Sequence, residues 1–427
     1  MFDNFSVFSV VSFDNTGVRE GGGTMKRLLN SKYQLSIVLL SVVLIVLLSS
    51  QLYGEDVRGV TDDTIKMAII GDVTGPVADT WKYGIASFRT YFQYVNDQGG
   101  IHGRKVKVIV EDDRANVALS VAAFKKIVYR DKALAFIGTG QGGGNIALFN
   151  QIEKEKIPNI PAGLELRLSS PPKKYIFCTG ATHEDAVAVL MDYAMKDMKV
   201  TNPKFGVVYP DIEFGKAGMQ GAIERAKFYN VDMHREVLNV GALDATSQIL
   251  NLKKAKVDYI IVQHIAVTAA GLIRDARKFG YEPTFLGTQW VCSQDLIKLA
   301  GKGAKNTYVS NIYGQWHEDT PGMAKTREIT LKYHKSLDIM TDSGYFQGWV
   351  AAMVFTEGMK RAGKDLSGET LMNAMETIKD FDTGGICGPI TFGKENRRGQ
   401  KYVRVYKADI DKIRFMPVTG WRMPVTK

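Results

Sequence analysis

The sequence predicts an α/β protein in which parallel sheets are flanked by helices, and three observations carry that prediction. From residue 64 onward, short β-rich runs alternate with longer stretches at helical spacing. Runs such as Ala135-Phe136-Ile137 and Tyr259-Ile260-Ile261-Val262 contain no polar alternation. The alternating units are also too numerous for one sheet. Strand–helix alternation requires right-handed crossovers between parallel strands, and a parallel sheet covered on both faces has no polar face to encode.

Taken in order, strands are predicted over 65–70, 106–110, 133–137, 205–209, 259–262 and 284–286. Helices are predicted over 81–97, 116–130, 145–155, 184–198, 215–229, 246–254 and 267–279. A first break falls at the loop 173–182 beside Pro171-Pro172, after about three βα units. A second falls near 310–314, where the alternation gives way to turn-rich sequence. The segment 343–362 is a strongly apolar helix carrying Tyr345, Phe346, Trp349, Val350, Met353 and Phe355, and its Gln347, Glu357 and Lys360 mark a buried core helix, not a membrane span. In the tail, 388–392 and 402–406 read as two strands joined by a polar hairpin.

The chain has 427 residues, 45% hydrophobic and 23% charged, which excludes a disordered or fibrous protein. Its net charge of +10 is interspersed, with no arginine-rich block, so no nucleic-acid partner is predicted. Met25 begins a secretory pattern: Lys26, Arg27 and Lys32 form a basic flank, 37–48 is an apolar run broken only by Ser41, and Ser49 to Gly54 form a small, polar exit. That run is too short to span a bilayer. A signal peptide around residues 25–54, cleaved near Gly54, places the mature protein in the periplasm, and no Cys follows the apolar run to make a lipoprotein. Residues 1–24 lie upstream of the better start. Export argues against NAD, ATP or coenzyme A, and no cofactor is expected. Cys178, Cys292 and Cys387 permit at most one bridge and form no CxxC metal motif.

Gly138-Thr139-Gly140-Gln141-Gly142-Gly143 satisfies G-x-G-x-x-G between a strand and a helix, with Glu165 farther on. That is the dinucleotide fingerprint, but it sits at the third strand-to-helix turn of its domain instead of the first. The physics survives without a nucleotide. Gly142, Gly143 and Gly144 leave backbone N–H groups bare at a helix N-terminus, which suits a carboxylate as well as a phosphate. A turn that merely needs positive φ is the plainer alternative. His102, His183, His234, His264, His317 and His334 show no paired-ligand spacing, and no GxSxG exists, so neither zinc nor a serine nucleophile is predicted. Glu111-Asp112-Asp113 reads as a helix cap. Trp81, Trp290, Trp316 and Tyr345 are either ligand-stacking or core aromatics.

Several segments together resemble the solute-binding proteins of branched-chain amino-acid-type ABC transporters, the leucine/isoleucine/valine-binding proteins. They are Ile69 to Pro76 (IIGDVTGP), Val95 to Val106 (VNDQGGIHGRKV), Val110 to Asp113 (VEDD), Ile157-Pro158, Phe214-Gly215, Ile273 to Ala276 (IRDA) and Gly388 to Phe392 (GPITF). The resemblance covers about 62–410. It implies a type I periplasmic binding protein fold: two lobes, each a parallel sheet flanked by helices, joined by a three-strand hinge near 180, 311 and 380. Lobe 1 would be 61–180 plus 312–379, and lobe 2 would be 181–311 plus 380–427. It further implies a monomer that catalyses nothing, closes on a small-molecule solute and is recognised by permease subunits. A sensory module of the same fold, or an exported enzyme, are the competing readings.

By the same resemblance, Gln141, Gly142, Gly143 and Gly144 stand where the family holds the ligand carboxylate. Gly163, Leu164 and Glu165 stand in the next loop, Phe214 at an aromatic position of lobe 2, and Ile265 or Ala266 at another. The acid that pairs with a ligand ammonium is replaced by Gln289. A desolvated ammonium without a counter-charge costs several kcal/mol, so the expected solute is not an ordinary aliphatic α-amino acid. Glu165, from the opposite lobe, is the acid expected to stand in for it. Glycines are expected to widen the first-lobe wall, with Trp81, Phe214, Trp290 and Tyr345 supplying aromatic surface for an aromatic or other organic acid.

Overall fold

The structure, a computed structural model, describes residues 57–335 and 343–426; the predicted signal peptide and the stretch before it lie outside them. In chain order the elements are β1 (Thr64–Gly71), α1 (Ala78–Asp97), β2 (Lys105–Asp112), α2 (Val117–Lys125), β3 (Ala135–Gly138), α3 (Gly142–Lys154), β4 (Asn159–Pro161), α4 (His183–Asp192), β5 (Phe205–Tyr209) and α5 (Glu213–Tyr229). There follow β6 (Met233–Val237), α6 (Thr246–Lys254), β7 (Tyr259–Val262), α7 (Ala266–Lys278), β8 (Thr284–Gly287), α8 (Gln294–Ala300), β9 (Thr307–Asn311), α9 (Pro321–Tyr333), α10 (Ser343–Ala362), α11 (Gly368–Glu376), β10 (Arg404–Asp409) and β11 (Arg414–Pro417).

The strands form two sheets. The first runs β2-β1-β3-β4, parallel throughout. The second runs β11-β10-β9-β8-β7-β5-β6, parallel from β6 to β9, with β10 and β11 antiparallel at one edge. Helices cover the sheets, so Ile65, Met67, Ile69 and Ile70 of β1 are buried without alternation, as are Ile260, Ile261 and Val262 of β7. The chain passes between the sheets three times, over 162–182, 312–320 and 377–403.

Local sequence sets the helix starts. Thr182 and Asp185 form a reciprocal capping box on α4, and the Asn116 side chain accepts from Leu119 N–H to cap α2. The acidic run therefore adjoins that cap without being it. Asp112 accepts from Val73 N–H and the Thr74 hydroxyl, Asp113 from Ala115 N–H and the Ser120 hydroxyl, and Glu111 pairs with Lys126 and Arg130. The α10 helix is buried on nearly every side, and no described helix is long and apolar enough to cross a membrane. Cys178, Cys292 and Cys387 are all buried.

The tail differs from expectation. Residues 404–409 form β10, but its hairpin partner is β11, not 388–392. The 388–392 segment instead contributes a single bridge, Ile390 to Phe381, and Phe392 packs edge-on against Phe177. Four strands escaped the sequence reading for physical reasons. Residues Asn159–Pro161 are three long and end in Pro, Met233–Val237 is a charged edge strand, and Thr307–Asn311 and Arg414–Pro417 carry polar residues where a buried run was sought.

Arg397 ties the crossing segments together. Its side chain is buried, donates to the carbonyls of Lys173, Lys174 and Gly393, and pairs with Glu376. Cys178 N–H donates to the carbonyl of the same residue at 2.8 Å. Removing one partner of a buried pair leaves the other charge uncompensated, at a cost of about 3–5 kcal/mol. Arg397→Met should lower the unfolding free energy in urea by that order, whereas a loss under 1 kcal/mol would reduce the residue to a surface decoration.

Candidate functional site

In parallel α/β sheets, crevices open at the carboxyl ends of strands where the chain order reverses. The first sheet has such a point between β1 and β3, and the second between β5 and β7. Both carry residues singled out from the sequence.

At the first point, the Trp81 indole lies between two glycines. A Cβ at Gly71, which ends β1, or at Gly140, which follows β3, would collide with its ring. Gly142 and Gly163 make room in the same way for the Glu165 carboxyl, and Gly144 for Thr139 and Ser120. None of Gly138, Gly140, Gly142, Gly143 or Gly144 has positive φ. The glycine-rich turn is thus a close-approach device. The expected widening of the wall is not what the glycines provide, because two large side chains of the same chain take that space.

Helix α3 begins at Gly142 with Gln141 in the cap position, and no side chain caps it. The turn is stiffened from beneath: Asn145 Nδ2 donates to the Thr139 carbonyl at 2.7 Å and to the Gln141 carbonyl at 3.1 Å, and the Thr139 hydroxyl donates to that same Gln141 oxygen. Beside this helix end, Glu165 is 2% exposed and its Oε2 is a buried atom without a hydrogen-bond partner. Gln141 Nε2 is likewise buried and unpartnered. Burial pushes the Glu165 carboxyl up to about 7; Glu184 and Glu213 add to the rise, while its own backbone N–H and Arg167 oppose it.

The second sheet contributes Phe214, just inside α5, whose carbonyl accepts from Gln263 Nε2 at 2.9 Å. Ile265 caps α7 at the end of β7, followed by the buried Ala266. Gln289 follows β8, buried, with its Oε1 unpartnered and its Nε2 3.3 Å from His183 Nδ1. The His183 ring packs edge-on against Phe214, with centroids 5.0 Å apart. Burial drives that imidazole down to about 3, so it is neutral at any physiological pH. In the sequence His183 was weighed only among the histidines without paired-ligand spacing, just before the helix predicted from 184.

The two groups approach one another. Trp81 and Trp290 line one narrow cavity of about 20 Å³, room for about one water molecule, together with Ile69, Ile137, Ala162 and the glycines of α1 and α10. Gln347 closes its side and donates to the Ala162 carbonyl at 2.7 Å. Sequence reasoning read Gln347 only as proof that α10 stays out of a membrane. The Ser343 hydroxyl sits 3.5 Å from the Gln289 carbonyl, Arg167 pairs with Glu213 at 2.9 Å, and His183 N–H donates to the carbonyl of the buried Leu164. Tyr345 is not among the lining residues: it is fully buried, bonds Thr330 and stacks on Trp349 at 6.0 Å. Trp316 packs against His317 instead. Among the described residues no cluster of His, Cys, Asp and Glu could hold a metal ion.

A family profile described as periplasmic binding protein matches residues 64–412. The Leu/Ile/Val-binding protein of Escherichia coli (strain K12) is 25% identical over 253 residues, 58% of this chain and 67% of that one. Leu/Ile/Val-binding protein homolog 3 of Brucella melitensis biotype 1 is 21% identical over 352 residues, 82% of this chain and 92% of that one. Among solved structures, a branched chain amino acid ABC transporter protein from Thermus thermophilus with bound valine superposes at a TM-score of 0.79, 26% identical, covering 85% of this chain and 97% of its own. A fatty acid ABC transporter substrate-binding protein from Thermomonospora curvata gives 0.77 at 25% identity, covering 86% and 94%.

The buried acid has a consequence for stability. Its folded-state affinity for protons lies above the ordinary carboxylate value of 4.5, so its contribution is fully present below that pH and is lost as the pH rises through about 7. Glu165→Gln should match wild type near pH 4.5 and exceed it by on the order of 3 kcal/mol at pH 8 in urea unfolding. Parallel pH profiles for the two proteins would contradict this.

Proposed function

The chain belongs to the periplasmic binding protein family, and on that premise we propose that it is the solute-capturing component of an ABC importer, handing its cargo to membrane permease subunits. It is a solute-binding protein and not an enzyme. The reading has it exported by the signal peptide at 25–54 and acting as a monomer without a nucleic-acid partner. Its lobes would be 61–180 with 312–379, and 181–311 with the C-terminal remainder, closing about the crossings described above.

One observation carries the choice of solute: two indoles, one from each side, line a narrow apolar cavity, and one of them, Trp81, abuts Gly140 just before an uncapped helix end. The cavity between Trp81 and Trp290 has room for about one water, so a flat apolar body enters there only when the lobes open, and an aromatic face is then worth about 0.5–1.5 kcal/mol beyond its buried area. A carboxylate on that body suits the N–H groups of Gly142 to Gly144, where the helix dipole favours negative charge. Gln289 supplies no counter-charge for an ammonium. This reading includes Phe214, Ile265, Gly163 and Leu164 among the residues that meet the cargo, although none of them lines that cavity. The favoured cargo is therefore an aromatic or other organic acid; the fatty-acid and valine relatives both carry a carboxylate on an apolar body.

A thermal-shift panel of the mature chain should rank benzoate, phenylacetate and octanoate above leucine. An acid present at 100 times its Kd adds about 2.7 kcal/mol. Leucine binding with every other acid silent would reject the solute assignment. Trp290→Ala should weaken the best acid about tenfold in calorimetry, an effect in line with loss of one aromatic contact.

A further inference from the structure

Glu165 has no structural partner for one of its oxygens, and its position decides what that means. It is 2% exposed, its Oε2 accepts no hydrogen bond, and it is wedged between Gly142 at the start of α3 and Gly163. A carboxylate kept away from water normally accepts several hydrogen bonds, and one left bare is costly. A Cβ at either glycine would press on its carboxyl oxygens and make them shift, so the fold makes a place for them.

The charged groups around it do not neutralise it. Arg167, two residues on, is committed to Glu213, and both are partly exposed. Glu184, from the start of α4, accepts from Leu166 N–H at 3.2 Å through both oxygens. Arg398 pairs with Asp185 and lies near Glu184. Cys178 is a buried thiol pushed up to about 12. Helix α3 offers only glycines and Asn145, and His183 is neutral. The balance of these neighbours is acidic.

Resting on the reading that the cargo is a carboxylate held at the start of α3, we propose that Glu165 recognises it as a neutral acid, donating its own proton to the cargo's carboxylate so that binding takes up one proton from solvent. Two carboxylates sharing a desolvated site cannot both ionise, so a single proton is held between them. The same pairing rejects a cargo that brings a neutral acceptor without charge, since it would gain only an ordinary hydrogen bond in place of the stronger charge-assisted one. The proton balance is simple: the Glu165 carboxylate, one proton from buffer and the cargo anion become a carboxylic acid hydrogen-bonded to a carboxylate, and no covalent bond changes. The raised proton affinity of Glu165 in the free protein leaves it half-loaded near neutrality.

The test is calorimetry with benzoate and octanoate in buffers of different ionisation enthalpy. Benzoate stays ionised throughout. At pH 8 wild type should take up close to one proton per benzoate bound, falling toward none at pH 5.5, and the affinity should drop about tenfold per pH unit above 7. Glu165→Gln should lose both the uptake and the slope. Benzoate binding with no proton uptake at pH 8 and a flat pH profile overturns the inference while leaving the acid cargo standing. Failure of both acids to bind at any pH overturns the inference together with the reading on which it rests. The proton count on wild type decides the matter even if the variant does not fold.

Discussion

Everything functional in this chain follows from one constraint: the first sheet, and the second from β6 to β9, are parallel and covered by helices. Such a sheet buries its central strands and satisfies their backbone groups internally. Its faces are closed to ligands. What remains open is the rim where strands end and helices begin, with uncapped N–H groups and short loops. Trp81, Gly140 to Gly144 and Glu165 gather at that rim of the first sheet, and Phe214, Ile265 and Gln289 at that rim of the second. Trp81 and Trp290, one from each, share a cavity.

The glycines of the first rim show how a single motif can be legible and misread together. Their spacing marked a strand-to-helix turn and located it correctly, because a helix opening on three glycines without a capping side chain is a local property. What the glycines make room for is tertiary. The indole against Gly140 arrives from α1, and the carboxyl against Gly142 from the loop after β4. The same division runs through the rest. Long, periodic helices and apolar strands were readable, whereas the three-residue β4, the charged edge strand β6 and the pairing of β10 with β11 depend on partners distant in sequence. Tyr345 shows the limit from the other side: an aromatic residue on α10 is a stacker or a core residue according to which face the helix turns inward, and here that face is sealed against Trp349 and Thr330.

The electrostatics of the site are those of a place nearly empty of compensated charge. His183 is held neutral, Gln289 is an amide where a counter-charge is absent, and Glu165 is an acid lifted toward neutrality by desolvation. A binding site assembled this way discriminates by what it leaves unpaired. Orphan atoms on Gln141, Glu165 and Gln289 lie buried and unpartnered. Apolar walls beside them reward a cargo with an apolar body, and the uncapped helix end rewards a negative charge. On the proposed reading, selectivity would come from the requirement that one molecule satisfy both.

The central claim is a matter of position: an acid whose apolar body lies between the two indoles and whose carboxylate meets the start of α3 beside Glu165. It is tested most directly by crystallising the mature protein with 4-bromobenzoate and locating the bromine by anomalous diffraction. The account predicts one strong peak between Trp81 and Trp290, with the carboxylate within hydrogen-bond reach of Gly142 to Gly144. A peak on the outer surface, or a carboxylate turned away from that helix toward Gln289, would contradict it.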